Sequence, residues 1–253
     1  MNTPLPKIVA GLFYAPQGFD AAMAELRWTV RQNPEFWKTA LLYVDAACER
    51  QARPYAKYFG EVVVDRDMPA IVREHPMWNC KGWWAHRAVQ RFGAILYCDF
   101  DVLVVRQPDA ALATWLGRAP RFLHMPNYNA PNKVVGCGCA YYDQTCDWDR
   151  YLDLLYNKWF HDERAWTEVL ALTKEKQLAD GFDMNPKIVN WDWLAAHPEA
   201  RRDVYLVHGL SDVAREWRAF REFGFDPKEL RFYRSWRARL NHLILKSGWK
   251  PRA

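Results

Sequence analysis

The sequence predicts an α/β protein with a Rossmann-type, mostly parallel sheet and helices on both faces. Three observations predict it. Strand-like and helix-like segments alternate through the first hundred residues, in the order that builds parallel neighbours through helical connections. The strand-like runs are continuously apolar rather than alternating, as in strands buried on both faces. At 253 residues the chain is long enough for one such domain with a full core.

The elements follow in order. KIVAGLFYA (7–15) is a short apolar run ending near a proline, a buried strand. FDAAMAELRWTVRQ (19–32) spaces its apolar positions helically and stops before Asn33-Pro34. TALLYVDA (39–46) and EVVVDR (61–66) read as strands, KGWWAHRAVQRF (81–92) as a helix and AILYCDFD (94–101) as a strand again. RFLHMPNYNA (121–130) and VVGCGCAYYD (134–143) read as strands joined by a Pro/Asn-rich loop. Residues 148–174 hold one or two helices broken near Phe160, and VYLVHGL (204–210) is a further short strand. No internal repeat or low-complexity linker divides the chain. Residues 1–230 are expected to form one domain, with a basic amphipathic segment, 231–253, packed on it.

Composition excludes several classes. Half of the residues are hydrophobic and about a quarter charged, so the chain is not disordered. No apolar run reaches the roughly 18 residues of a spanning helix. The N-terminus, MNTPLPKIVAGLFY, reads as a first strand rather than a signal peptide. The expected location is therefore cytoplasmic, with peripheral membrane attachment as the variant. Cys48, Cys80, Cys98, Cys137, Cys139 and Cys146 are expected as reduced, buried thiols, since C-x-C-x6-C lacks the paired C-x-x-C spacing of structural zinc.

The stretch that carries chemistry is ILYCDFDVLVV (95–105). Asp99 and Asp101 interrupt an apolar run where a strand emerges from the sheet, and ligands of parallel α/β sheets bind beyond the carboxyl ends of strands. Side chains at i and i+2 of an extended segment point the same way, about 6.5–7 Å apart. Two like charges so close each raise the cost of ionising the other, and a divalent cation removes that cost. Mg²⁺ or Mn²⁺ suits the oxygen ligands and bridges to substrate phosphates. The alternative is a turn with solvated carboxylates.

LYCDFDVLVV resembles the D-x-D segment of nucleotide-sugar glycosyltransferases with the GT-A fold, particularly the glycogenin and lipopolysaccharide galactosyltransferase group. VVGCGCAYYD is similar to that family's N-A-G-V-x-x-x-N strand, and VYLVHGLSD (204–212) to its late strand ending in a histidine. The resemblance implies Asp99, Asp101 and His208 as metal ligands and a UDP-sugar as donor. It also implies transfer to an acceptor hydroxyl. Two departures stand out: GLSDVAREW follows His208 where the family has Lys-Pro-Trp, and Cys137 and Cys139 replace more usual residues. A histidine ending a strand also has a structural reading, as a hydrogen-bonded residue.

Further site residues follow from position in such a fold. Lys81, ahead of the D-x-D strand, is a second positive contact for phosphate or else a solvated lysine. Tyr14 and Asp45 end the first two strands, where the fold holds the nucleoside base; Tyr14 stacks on it and Asp45 accepts a hydrogen bond from it. Asp162 and Glu163 begin a helix, where acids are stabilised by free N–H groups. The family carries an acidic pair in about this place, so one of them contacts the sugar or acts as base toward the acceptor.

Residues 231–253 carry seven Lys/Arg and no acid, interleaved with Phe232, Tyr233, Trp236 and Trp249. Trp236, Leu240, Leu243 and Ile244 share one face of a helix, with Arg234, Arg237 and Arg239 on the others. Such a segment either packs as a solvated helix, lies on an anionic membrane beside a lipid-linked or lipopolysaccharide glycan, or binds DNA carrying a modified base. The expected acceptor is the DNA base, with the glycan as alternative. Two other functions compete. A haloacid-dehalogenase-like phosphatase also uses hydrophobics before D-x-D, with Asp180 and Asp183 as later acids. A non-enzymatic nucleic-acid-binding protein would use the tail and leave Asp99 and Asp101 unexplained.

Overall fold

Alternate side chains of two strands of the main sheet feed two different apolar layers. This is seen in a computed structural model describing residues 7–11, 30, 33–74, 80–99, 102–118, 137–171, 187–190, 194 and 197–208. Strand β1 spans Lys7–Gly11, β2 Leu41–Asp45, β3 Glu61–Asp65 and β4 Ala94–Cys98. From β2, Leu42 and Val44 enter one layer, and Leu41 and Tyr43 the other. From β4, Leu96 and Cys98 join the first, and Ile95 and Tyr97 the second. That is the period-two consequence of a pleated strand with both faces covered.

The strands pair in the order β3-β2-β1-β4-β6, with β6 at Cys139–Asp143. The first four are parallel, and β6 runs antiparallel to β4 with Cys139 opposite Cys98. The expected mostly parallel sheet is therefore present. The run 95–105, however, serves two sheets. Its second half, β5 (Val102–Val104), belongs to a small sheet with β7 (Ile188–Asn190) and β8 (Leu206–His208), in the order β5-β8-β7.

Helices cover both faces. On the first layer lie α1 (Pro34–Lys38), through Phe36 and Trp37, and the later helix Ala110–Arg118, through Leu112 and Leu116. Short helices α2 (Glu49–Ala52) and α3 (Ala70–Glu74) follow β2 and β3. On the second layer α4 (Cys80–Phe92) buries Trp84, Ala85, Ala88 and Val89, a helical spacing. It ends at Gly93, whose φ of 80° closes the helix as its N–H reaches the Val89 carbonyl at 2.8 Å. With Ala110–Arg118 as α5, the second layer is completed by α6 (Trp148–Asp153) and α7 (Asp162–Val169), through Trp148, Tyr151 and Trp166.

The expected break near Phe160 is present. After α6 the chain widens into a π-helical turn, Leu154–Trp159, and stops at Phe160, which adopts a left-handed φ of 51°. All six cysteines are buried, as reduced thiols. Among the described residues no helix is long and apolar enough to cross a membrane. The helix expected at 19–32 (apart from Val30, which is helical and buried), the strand expected at 121–130 and the tail 231–253 lie outside the described residues.

Candidate active site at the carboxyl end of strand β4

The chain order places β2 and β3 on one side of β1, and β4 on the other. The strand order thus reverses between β1 and β4, the place where open α/β sheets bind ligands. Asp99 follows β4 at that point. Its main chain is fixed because its N–H donates to the Gly138 carbonyl at 2.7 Å, one rung beyond the last β4–β6 pair.

The Asp99 carboxylate meets two groups that the sequence separates widely. Lys81 Nζ lies 3.3 Å from Oδ2, and His208 Nε2 lies 3.7 Å from the same oxygen. Lys81 comes from the first turn of α4. His208 arrives because β8 pairs antiparallel with β5, which sets it opposite Val102. The Lys81 ammonium also sits 2.7 Å from Asp162 Oδ2, at the start of α7. Strand ends and helix starts from both sheets therefore converge on one lysine between two carboxylates.

Burial works against the charge on Lys81, yet the Asp162 and Asp99 carboxylates outweigh it and hold the ammonium well above the ordinary lysine range. Asp162, only 4% exposed, is likewise disfavoured as an anion by burial. Lys81 first, then His161 and the Glu163 N–H, reverse this and hold its carboxyl below the usual range. Burial, then the neighbouring Asp99 charge, push the Tyr97 hydroxyl well up, so it stays protonated beside the site.

The sequence explains why Asp162 arrives there. The left-handed turn at Phe160 reverses the chain, and His161 then leads into α7. Trp166 anchors that helix, stacked on Tyr151 at 3.8 Å between ring centres and on Tyr142 at 5.4 Å. Asp162 Oδ1 accepts from the Glu163 N–H at 2.9 Å, leaving Oδ2 for Lys81. Glu163 is half-buried, its Oε2 4.0 Å from His161 Nε2.

Asp99 Oδ2 and His208 Nε2 lie 3.7 Å apart, a carboxylate oxygen and an imidazole nitrogen of the types that Mn²⁺ accepts as ligands. Among the described residues no three His, Cys, Asp or Glu side chains converge on one point, and Asp101 lies outside them.

Tyr14 and Asp45 are the residues expected near a nucleoside base. Tyr14 lies outside the described residues. Asp45 is fully buried. Its Oδ1 accepts from the Ala47 N–H at 2.8 Å, and its Oδ2 holds the Arg73 guanidinium at 2.8 Å. The carboxylate expected to meet a base is thus committed to its own turn and to Arg73. Arg73, 40% exposed at the side chain, is the group that reaches the surface there, and sequence reasoning missed it. No sequence signal links a residue in a short helix to an aspartate one strand earlier.

Comparison of the sequence with protein-family models and with curated proteins gives no match. Solved structures do match. A glycosyltransferase involved in the glycosylation of the major capsid of PBCV-1 aligns over 88% of this chain and 100% of its own, with a TM-score of 0.50 and 14% identity. An active-site mutant of LgtC aligns over 89% of this chain and 99% of its own, with a TM-score of 0.50 and 12% identity. At such identities the likeness speaks for the fold: the chain has the α/β fold of GT-A glycosyltransferases. The dehalogenase-like alternative needs the D-x-D strand to open its domain. Here β1 to β3 precede it, and Asp180 and Asp183 lie outside the described residues.

Proposed function

We propose that the chain is a glycosyltransferase that moves a sugar from a nucleotide sugar, a UDP-sugar, to an acceptor hydroxyl. The observation that carries this reading is the convergence of Lys81 and His208 on Asp99 at the strand-order reversal of a GT-A-like sheet. Asp99, Asp101 and His208 are the residues we assign to a divalent cation. When bound, it supplies Lewis-acid neutralisation of the departing diphosphate.

The chain's own residues do the rest. Lys81 remains charged at neutral pH and offers a second cation to the phosphates, in a setting where fixed charge needs little reorganisation. Asp162, kept ionised by Lys81, orients that lysine and faces the sugar. Glu163, next along the same helix start and partly exposed, is assigned as the base toward the acceptor hydroxyl. Tyr14 stacks on the nucleoside base, and the Asp45–Arg73 pair shapes that end of the pocket.

The acceptor reading rests on residues 231–253. Their Arg and aromatic content supports a modified base in DNA, with a membrane-associated glycan as the second reading. Neutralising Arg234, Arg237 and Arg239 together is expected to lower transfer to the true acceptor while sparing donor hydrolysis.

Mass spectrometry of candidate acceptors, incubated with mixed nucleotide sugars and Mn²⁺, tests the activity. Gain of a hexose by any acceptor supports the reading, and no transfer or donor hydrolysis with any nucleotide sugar overturns it. Calorimetry with UDP, GDP and CDP sets the donor: preference for GDP or CDP removes the uridine assignment.

A further inference from the structure

A Cβ built on Gly138 would lie 1.9 Å from His208 Nε2, 2.2 Å from Cε1 and 2.3 Å from Cδ2. Real Cβ atoms do not approach ring atoms so closely. The imidazole therefore rests on the Gly138 backbone, in space that any other residue type would fill. The same glycine's carbonyl receives the Asp99 N–H at 2.7 Å. One residue thus touches both proposed ligands, Asp99 through its carbonyl and His208 through its missing side chain. It also stands where the five-stranded sheet meets the small one: Cys139 begins β6, and His208 ends β8.

From this contact we propose that Gly138 is a positioning residue, whose lack of a side chain sets the His208 imidazole against Asp99 and so fixes the geometry of the cation-binding pair. The inference rests on the assignment of Asp99 and His208 as ligands. Its physical content is steric and separable from that assignment. The Asp99 main chain is held beside the β4–β6 ladder and does not shift with a displaced ring. The His208 side chain is 20% exposed, so a methyl group at position 138 is relieved most cheaply by swinging the ring outward, away from Asp99 Oδ2. The backbone carbonyl at 138 is retained in an alanine variant, so the Asp99 rung survives and the loss falls on the imidazole.

The test is a double-mutant cycle of Gly138→Ala and His208→Ala, read by calorimetric titration of Mn²⁺ with UDP and by thermal melting. Supporting groups around a metal site typically change affinity by roughly 10–100-fold, and Gly138→Ala is expected to weaken Mn²⁺ binding by about that factor. In the His208→Ala background the same substitution should change affinity less than about twofold, because the ring it displaces is gone. Any lowering of the melting temperature by Gly138→Ala should likewise be recovered in the double variant. An unchanged Mn²⁺ affinity in Gly138→Ala, or an equal loss in both backgrounds, overturns the proposal.

If the wild type takes up no Mn²⁺, the ligand assignment fails by itself. The melting data and the His208 ring resonances of the metal-free protein then decide the positioning claim. Recovery of stability in the double variant, with shifted ring resonances in Gly138→Ala, upholds it. No recovery and unmoved resonances reject it.

Discussion

Three of the parallel strands of the main sheet run out into aspartates, and the molecule uses them in two ways. At Asp45 and Asp65 the carboxylate is consumed by the chain itself. Each accepts the amide two residues on, Ala47 at 2.8 Å and Asp67 at 2.9 Å, and each takes a second partner, Arg73 or the Trp83 indole N–H at 2.7 Å. These are Asx turns that close a strand and tie it to a later helix, Asp45 to α3 and Asp65 to α4. Asp99 differs. Its side chain is 28% exposed and faces a lysine and a histidine from distant elements, while its backbone alone is used by the sheet. The same residue type at the same topological position is a cap where its oxygens are satisfied by the following turn, and at Asp99 the oxygens instead meet groups from distant elements, as the proposed binding role requires.

That contrast can be broken by substitution. The largest effect is expected at Asp99. Asp99→Ala should lower sugar transfer by about 10³-fold, as loss of a key charge-stabilising group does, while circular dichroism and melting temperature change little. A collapse of the fold in this variant would put Asp99 with the caps.

Lys81→Met is expected to cost about 3 kcal/mol at neutral pH, because it strands Asp162 in the interior without its counter-charge. The pH dependence has a definite sign. In the wild type the Asp162 carboxyl is held below the ordinary range, so its contribution is complete above about pH 4 and is lost only in stronger acid. The Lys81 contribution is complete below the ordinary lysine range and is lost only as pH rises through its raised value. Without Lys81, burial outweighs the remaining His161 and Glu163 N–H contributions and raises the Asp162 carboxyl, so the folded variant takes up a proton first as pH falls. The gap between wild type and variant, measured by urea unfolding at pH 7 and pH 4.5, should therefore narrow in acid. A gap that widens contradicts the ion pair.

Asp45→Ala should cost about 2 kcal/mol of stability. It removes a buried carboxylate from Arg73, but that arginine is partly exposed and can rehydrate. If Asp45 is a cap, the loss appears in urea unfolding with calorimetric affinity for UDP reduced only modestly. A full loss of UDP binding at unchanged stability would move Asp45 back to direct base recognition.

The smallest effect is expected at Arg91, paired with Glu61 at 2.9 Å on the open surface, both side chains nearly half exposed. Arg91→Ala should stay within about 0.5 kcal/mol. A larger loss would mean that the edge strand β3 depends on this contact.

The legible parts of the fold are those whose burial leaves a local trace. Leu41–Asp45, Glu61–Asp65, Cys80–Phe92 and Ala94–Cys98 fall within a residue or a few of the segments that continuous apolar runs and helical spacing mark out. Strand direction leaves no such trace, so the antiparallel pairing of β6 with β4 was not readable. Nor was the division of ILYCDFDVLVV between two sheets, since Val102–Val104 are as apolar as the strand before them and fully buried. Ile188–Asn190 and Pro34–Lys38 are too short to show a period. At the site, Asp99 announced itself as a charge inside an apolar run. The contact of Lys81 with Asp162, and of His208 with Gly138, exists only because the sheet and α7 bring distant segments together. No local pattern encodes either.

In the proposed reaction Asp99 acts, with a divalent cation, on a nucleotide sugar. The direct measurement is release of UDP from UDP-sugars by the wild type and by Asp99→Ala, each with Mn²⁺ and with excess EDTA. The prediction is release by the wild type with Mn²⁺ alone, and none in EDTA or in the variant under either condition. Equal release in EDTA, or from Asp99→Ala, would contradict it.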